Sequence, residues 1–130
     1  MKIIVFSFLV CFATFSFSED LSKLTEAHVK TLLCQKWKLS FLEYKGKKKS
    51  IPAKLPESLL IFLQDGKLQE YSGAQKYDGT WSYLHTTKTI TTIDKDGTEK
   101  HQLISLTTNE LIMNGTYQGF KFNMGFVKKE

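Results

Sequence analysis

The sequence predicts an all-β protein, an eight-stranded antiparallel up-and-down barrel preceded by a short N-terminal helix. Three observations point there: apolar and polar residues alternate with period two from Cys34 onward, turn signals recur about every ten residues, and helical period appears only once after the N-terminal region. With 130 residues, 42% of them hydrophobic, the chain makes one domain.

The first 18 residues read as a signal peptide rather than as part of the fold. Lys2 is followed by an apolar run from Ile3 to Phe15, too short to span a bilayer, and Ser16 and Ser18 suit the small-residue positions of a cleavage site. A lipoprotein anchored through Cys11 is the weaker reading, because Val10 stands where a small residue is wanted and the apolar run continues past the cysteine. Residues 19–130 are the expected exported domain, periplasmic or secreted, with 17 lysines against 13 acidic residues and no transmembrane segment. Cys34 is then its one cysteine, so no internal disulfide is expected and the thiol reads as a small buried hydrophobe.

Residues 20–33 carry the helical period, with Leu21, Leu24, His28 and Leu32 on one face, Val29 and Leu33 beside it, and Asp20 or Ser22 as the expected cap. Strands are expected near 35–44, 58–64, 67–72, 76–84, 88–94, 99–106, 110–114 and 118–127. Asp65-Gly66, Asp96-Gly97 and Asn114-Gly115 are the dipeptides that supply positive φ in tight hairpins, and Pro52 and Pro56 bracket a lysine-rich loop. Eight strands joined in order protect their edges best by closing on themselves. The alternation turns Trp37, Leu39, Phe41, Tyr77, Trp81, Tyr83, Phe120, Phe122, Met124 and Phe126 inward, and Lys36, Lys38, Ser40, Asp78, Thr80, Ser82, Lys121 and Asn123 outward.

The stretch Leu33-Cys34-Gln35-Lys36-Trp37-Lys38-Leu39 after a short helix resembles the opening strand of the small exported bacterial lipocalin-like domains. Tyr77-Asp78-Gly79-Thr80-Trp81-Ser82-Tyr83, Asp96-Gly97-Thr98-Glu99, the run from Leu103 to Thr107 and Glu110-Leu111 extend the likeness over residues 32–127. The resemblance implies a lipocalin-like barrel with a tryptophan in its floor. Gln35 stands where the lipocalin motif has a glycine, and the arginine that the wider family packs across the tryptophan has no counterpart, since all 18 basic residues are lysines.

Enzyme signatures are nearly empty. His28, His85 and His101 form no ligand pair at helical spacing, paired cysteines are missing, and neither a Gly-x-Ser-x-Gly elbow nor a glycine-rich phosphate loop occurs. The three histidines read as ordinary solvated, edge or partly buried residues, and no metal or cofactor is expected. Asp94 and Asp96 belong to turn chemistry before calcium chemistry, and Asn114-Gly115-Thr116 to a hairpin before glycosylation. Lys45, Lys47, Lys48 and Lys49 read first as a solvated loop; without interleaved arginine or exposed aromatics they make a poor nucleic-acid site, and the alternative is contact with an anionic lipid surface or a gate for an acidic ligand.

The expected function is therefore non-enzymatic binding or sequestration of a small hydrophobic ligand, with Trp37, Leu39, Phe41, Trp81, Tyr83, Phe122 and Met124 as candidate lining. The alternative is a barrel filled by those side chains that acts as a protein-interaction module at the cell envelope. So many rings on short strands predict a solid floor around Trp37 and Trp81, with any cavity toward the opposite mouth.

Overall fold

The computed structural model describes residues 21–130; the signal peptide expected over residues 1–18 lies outside them. A 3-10 turn, Leu21–Lys23, leads into helix α1, Glu26–Leu33. The cap is Thr25 rather than Asp20 or Ser22: its backbone is extended and its Oγ1 accepts the His28 N–H at 3.1 Å. Within the helix the buried residues are Val29 and Leu33, and His28 stands in solvent.

Nine strands follow: β1 Lys36–Tyr44, β2 Lys47–Ser50, β3 Ser58–Phe62, β4 Lys67–Ser72, β5 Gln75–Leu84, β6 Thr89–Asp94, β7 Gly97–Leu106, β8 Glu110–Tyr117 and β9 Phe120–Lys128. Apart from β2, they pair antiparallel in chain order, and β1 pairs with β9 to close an eight-stranded barrel. The ninth strand is the one the sequence concealed. Lys45 and Gly46, both at positive φ, form a tight turn that folds Lys47–Ser50 back on the outer half of β1. The lysines placed in a loop are thus half of a hairpin, while β3 takes the inner half of β1 through Trp37↔Leu60.

The hairpin turn expected at Asn114-Gly115 forms elsewhere. Both residues lie inside β8, and the reversal falls at Gln118-Gly119, both at positive φ. Tertiary packing overrides the local signal here. A side chain at Gly115 would press on the Phe122 ring and Met124, each 3.1 Å from where its Cβ would sit, so this glycine makes room for a ring in the wall. Asn114 instead bridges to β7, its Oδ1 accepting the Gln102 N–H at 2.7 Å.

The two ends of the barrel differ. Helix α1 stops the closed end, where Val29, Leu33 and Trp37 are fully buried. Trp37 Nε1 donates to the Leu33 carbonyl at 3.0 Å, Trp81 Nε1 to that of Leu63 at 2.8 Å, and Trp81 meets Phe62 edge-on at 5.1 Å between centroids. Burying an indole is inexpensive only when its N–H finds an acceptor. Here the helix end and the β3–β4 turn supply those acceptors, so the floor closes without an arginine.

Candidate binding site at the barrel mouth

At the opposite end the barrel is hollow, with a cavity of about 290 Å³ opening between the strands. One side is apolar, formed by Leu39, Leu60, Met113, Met124 and Phe126. The other is polar, formed chiefly by Glu70, Tyr77, Thr92, Glu99 and His101. Strand register explains the division: Leu60, Glu70 and Tyr77 stand opposite one another on β3, β4 and β5, as Thr92 and Glu99 do on β6 and β7, and directly opposed residues share a face.

His101 is buried at 8% exposure, against the expectation of a solvated edge residue. Its Nδ1 is 2.9 Å from the Asn114 carbonyl and its Nε2 is 3.5 Å from Glu99 Oε1. β7 pairs with β8 only from Leu103 inward, so this ring spans the start of the gap between the two strands. Glu70 is half-buried, and among the described residues no hydrogen bond or ion pair reaches its carboxylate. Desolvation first, then the nearby charges of Asp94, Glu99 and Asp96, push its pKa up from the ordinary carboxylate range. Among the described residues no lysine lines the cavity. The interior therefore combines an apolar wall with a Glu70 carboxyl group that no cation pairs.

Of the side chains expected to line a ligand site, Leu39 and Met124 border this cavity. Trp37, Trp81 and Tyr83 belong to the packed core of the closed end. Phe41 is off the inner face of the barrel, though still buried at 6% exposure. A bulge at Ser40 shifts the register of β1 against β9, so that Phe41 pairs with Gly125 and Leu42 with Met124. Neighbours on a strand face opposite ways, so Leu42 takes the inner face with Met124 while Phe41 lies outside, over the bare backbone of Gly125 and beneath Lys48 Nζ at 4.3 Å. Phe122 and Phe120 keep the inner face but lie toward and beyond the rim, where Phe120 is 59% exposed.

Leu60, Glu70, Thr92, Glu99, His101 and Met113 were missed as site residues. A signal for two of them was present: in Lys67–Ser72 the inward parity set by Leu68 carries Glu70 in, and in β7 that of Leu103 carries His101 in. An eye trained on apolar residues passes over both.

Other chemical groupings are quieter. Cys34 is half-buried beside the outer groove between α1 and Trp81, and burial pushes its thiol pKa up, which disfavours the thiolate. His85 Nδ1 lies 3.0 Å from Tyr83 Oη, not at the cysteine. Asp94 Oδ1 accepts the Asp96 N–H at 2.8 Å, a bond internal to the β6–β7 turn. Among the described residues, no group of three or more His, Cys, Asp or Glu side chains could hold a metal ion, and no helix is long and apolar enough to cross a membrane.

Comparison with known proteins finds no matching family model, curated protein or solved structure, so the site is read from its own geometry.

Proposed function

We propose that the protein is an exported lipocalin-like barrel that binds a small, largely apolar molecule in its mouth, with the polar end of that molecule turned toward Glu70. The observation that carries this reading is the two-sided cavity. At about 290 Å³ it falls near the lower limit of ligand pockets, about 300 Å³, which favours a compact molecule over a long acyl chain. The apolar wall supplies affinity without direction. Glu70 supplies the direction, because a half-buried carboxylate with no cationic neighbour gains most from a ligand that brings an ammonium or a hydrogen-bond donor.

Calorimetric titration of residues 19–130 with compact apolar amines and with carboxylic acids of matched size tests this. Saturable binding of the amines, weakened by Glu70→Gln, is the expected result. Equal affinity for amine and acid would remove the role of Glu70, and no binding across both sets by a folded protein would remove the ligand site.

A further inference from the structure

Beyond the cavity, β8 and β9 continue past the end of their contact with β7 as a hairpin supported on one side only, by β1 and its partner β2. These four strands form a tongue at one side of the mouth. Its inner face carries Leu42, Tyr44, Tyr117, Phe120 and Phe122 around an apolar hollow of about 380 Å³. Tyr117 is 65% exposed, Phe120 59% and Tyr44 41%, with Tyr44 and Phe120 meeting edge-on at 6.2 Å. Isolated exposed apolar residues are ordinary, but a contiguous aromatic patch at one tip marks an interaction surface.

The charge on this face decides what it meets. Lys47 stands opposite Tyr44 and Lys49 opposite Leu42, so both lysines share the aromatic face, and Lys45 Nζ lies 5.4 Å from the Tyr44 ring centre. The nearest carboxylate on the tongue, Glu43, pairs with Asn123 and belongs to the other face. All three lysines are exposed, and none makes an ion pair among the described residues. We infer that the inner face of the tongue docks on an anionic lipid bilayer, its rings entering the interface and Lys45, Lys47 and Lys49 meeting the headgroups.

Amphipathic rings settle at the headgroup level, and juxtamembrane lysines are attracted to anionic lipid within about a Debye length, so both residue types gain from the same surface. A second copy of the chain fits less well, since a two-fold pairing of this face would bring the lysines of both copies together. Single-stranded nucleic acid would use the same rings for stacking, but without arginine to clasp its phosphates.

Residues 19–130 contain every described strand and the whole described core, so they serve as the test protein without the apolar N-terminal run. Co-sedimentation with vesicles of phosphatidylcholine alone, and with about one quarter phosphatidylglycerol, should show binding to the second alone, declining as salt is raised. Lys47→Glu with Lys49→Glu is expected to lower partitioning about tenfold or more. Tyr117→Ser with Phe120→Ser should lower it at both low and high salt, and these exposed positions leave the thermal transition in place. Equal binding to both vesicle types, or binding unchanged by both pairs of substitutions, would overturn the inference. So would failure to sediment while Phe120→Ser dissolves a dimer seen by light scattering, or while a single-stranded oligonucleotide binds instead.

Discussion

Both ends of this barrel carry large aromatic rings, and those rings meet opposite outcomes. At the closed end each large ring is matched: Trp37 and Trp81 have acceptors for their N–H groups, and Val29 and Leu33 of α1 fill the space beneath them. At the open end the rings outrun their partners. β7 separates from β8, the tongue stands without a facing wall, and Tyr117 and Phe120 remain in solvent. Aromatic content alone does not distinguish a floor from a mouth; what distinguishes them is whether a helix or strand arrives to cover the rings.

The largest test of that contrast is Trp37→Ala. Loss of a fully buried indole with its hydrogen bond to Leu33 should cost about 3–5 kcal/mol, read as a lowered urea midpoint. Next comes a matched pair in which the same atoms are removed at the two ends. Leu33→Ala, fully buried at the floor, should cost about 2–5 kcal/mol. Leu39→Ala should cost clearly less, because its half-buried side chain already borders empty space. Equal losses in the two variants would mean that the mouth is as tightly packed as the floor.

Gly79→Ala tests the wall between the ends. A methyl group there would collide with the Ile93 carbonyl oxygen, which is backbone and cannot rotate away, so about 1–3 kcal/mol of destabilisation is expected from equilibrium unfolding. A neutral outcome would show that β5 and β6 can part locally without loss of the fold.

The smallest effect sharpens the electrostatic side of the comparison. Glu70 has a folded-state pKa raised above its ordinary value of 4.5, so the folded protein holds this proton more tightly than the unfolded chain. Glu70 therefore lowers stability as pH rises from near 4.5 through its raised value, and the loss then stays constant. Glu70→Gln should flatten that part of the profile and raise Tm modestly at neutral pH, by scanning calorimetry from pH 4 upward. Glu57 at the surface behaves oppositely. Its hydrogen bond to Lys129, at 2.7 Å, leads the influences that hold its pKa down, so its contribution is present at neutral pH and fades as acid reaches that lowered value. If Glu70→Gln and Glu57→Gln change the profile in the same direction, the burial assigned to Glu70 is wrong.

Much of the barrel was legible because period two is a local property: an alternating run pairs wherever it finds a partner, and turn dipeptides such as Asp65-Gly66 and Asp96-Gly97 mark the reversals. Asn114-Gly115 shows the limit of that logic. Its dipeptide is a good turn former, yet Gly115 was required for clearance beside Phe122, and the chain turned four residues later. Phe41 shows a second limit, since alternation predicts a face only as far as the next bulge. The site was less legible than the fold, because its distinctive members are a carboxylate and a histidine that enter the barrel by parity and not by hydrophobicity.

The sequence by itself determined the succession of strands, their antiparallel order and the aromatic supply of the interior, all of which follow from backbone geometry and side-chain alternation over a few residues. Only the tertiary structure decided that β2 exists, that Ser40 bulges and turns Phe41 off the inner face, that α1 closes one end, and that Glu70 and His101 both line the cavity at the other. Those outcomes depend on which distant strand lies alongside, how far its pairing extends, and where a missing Cβ leaves room. Such terms are settled between strands, so no window along the chain contains them.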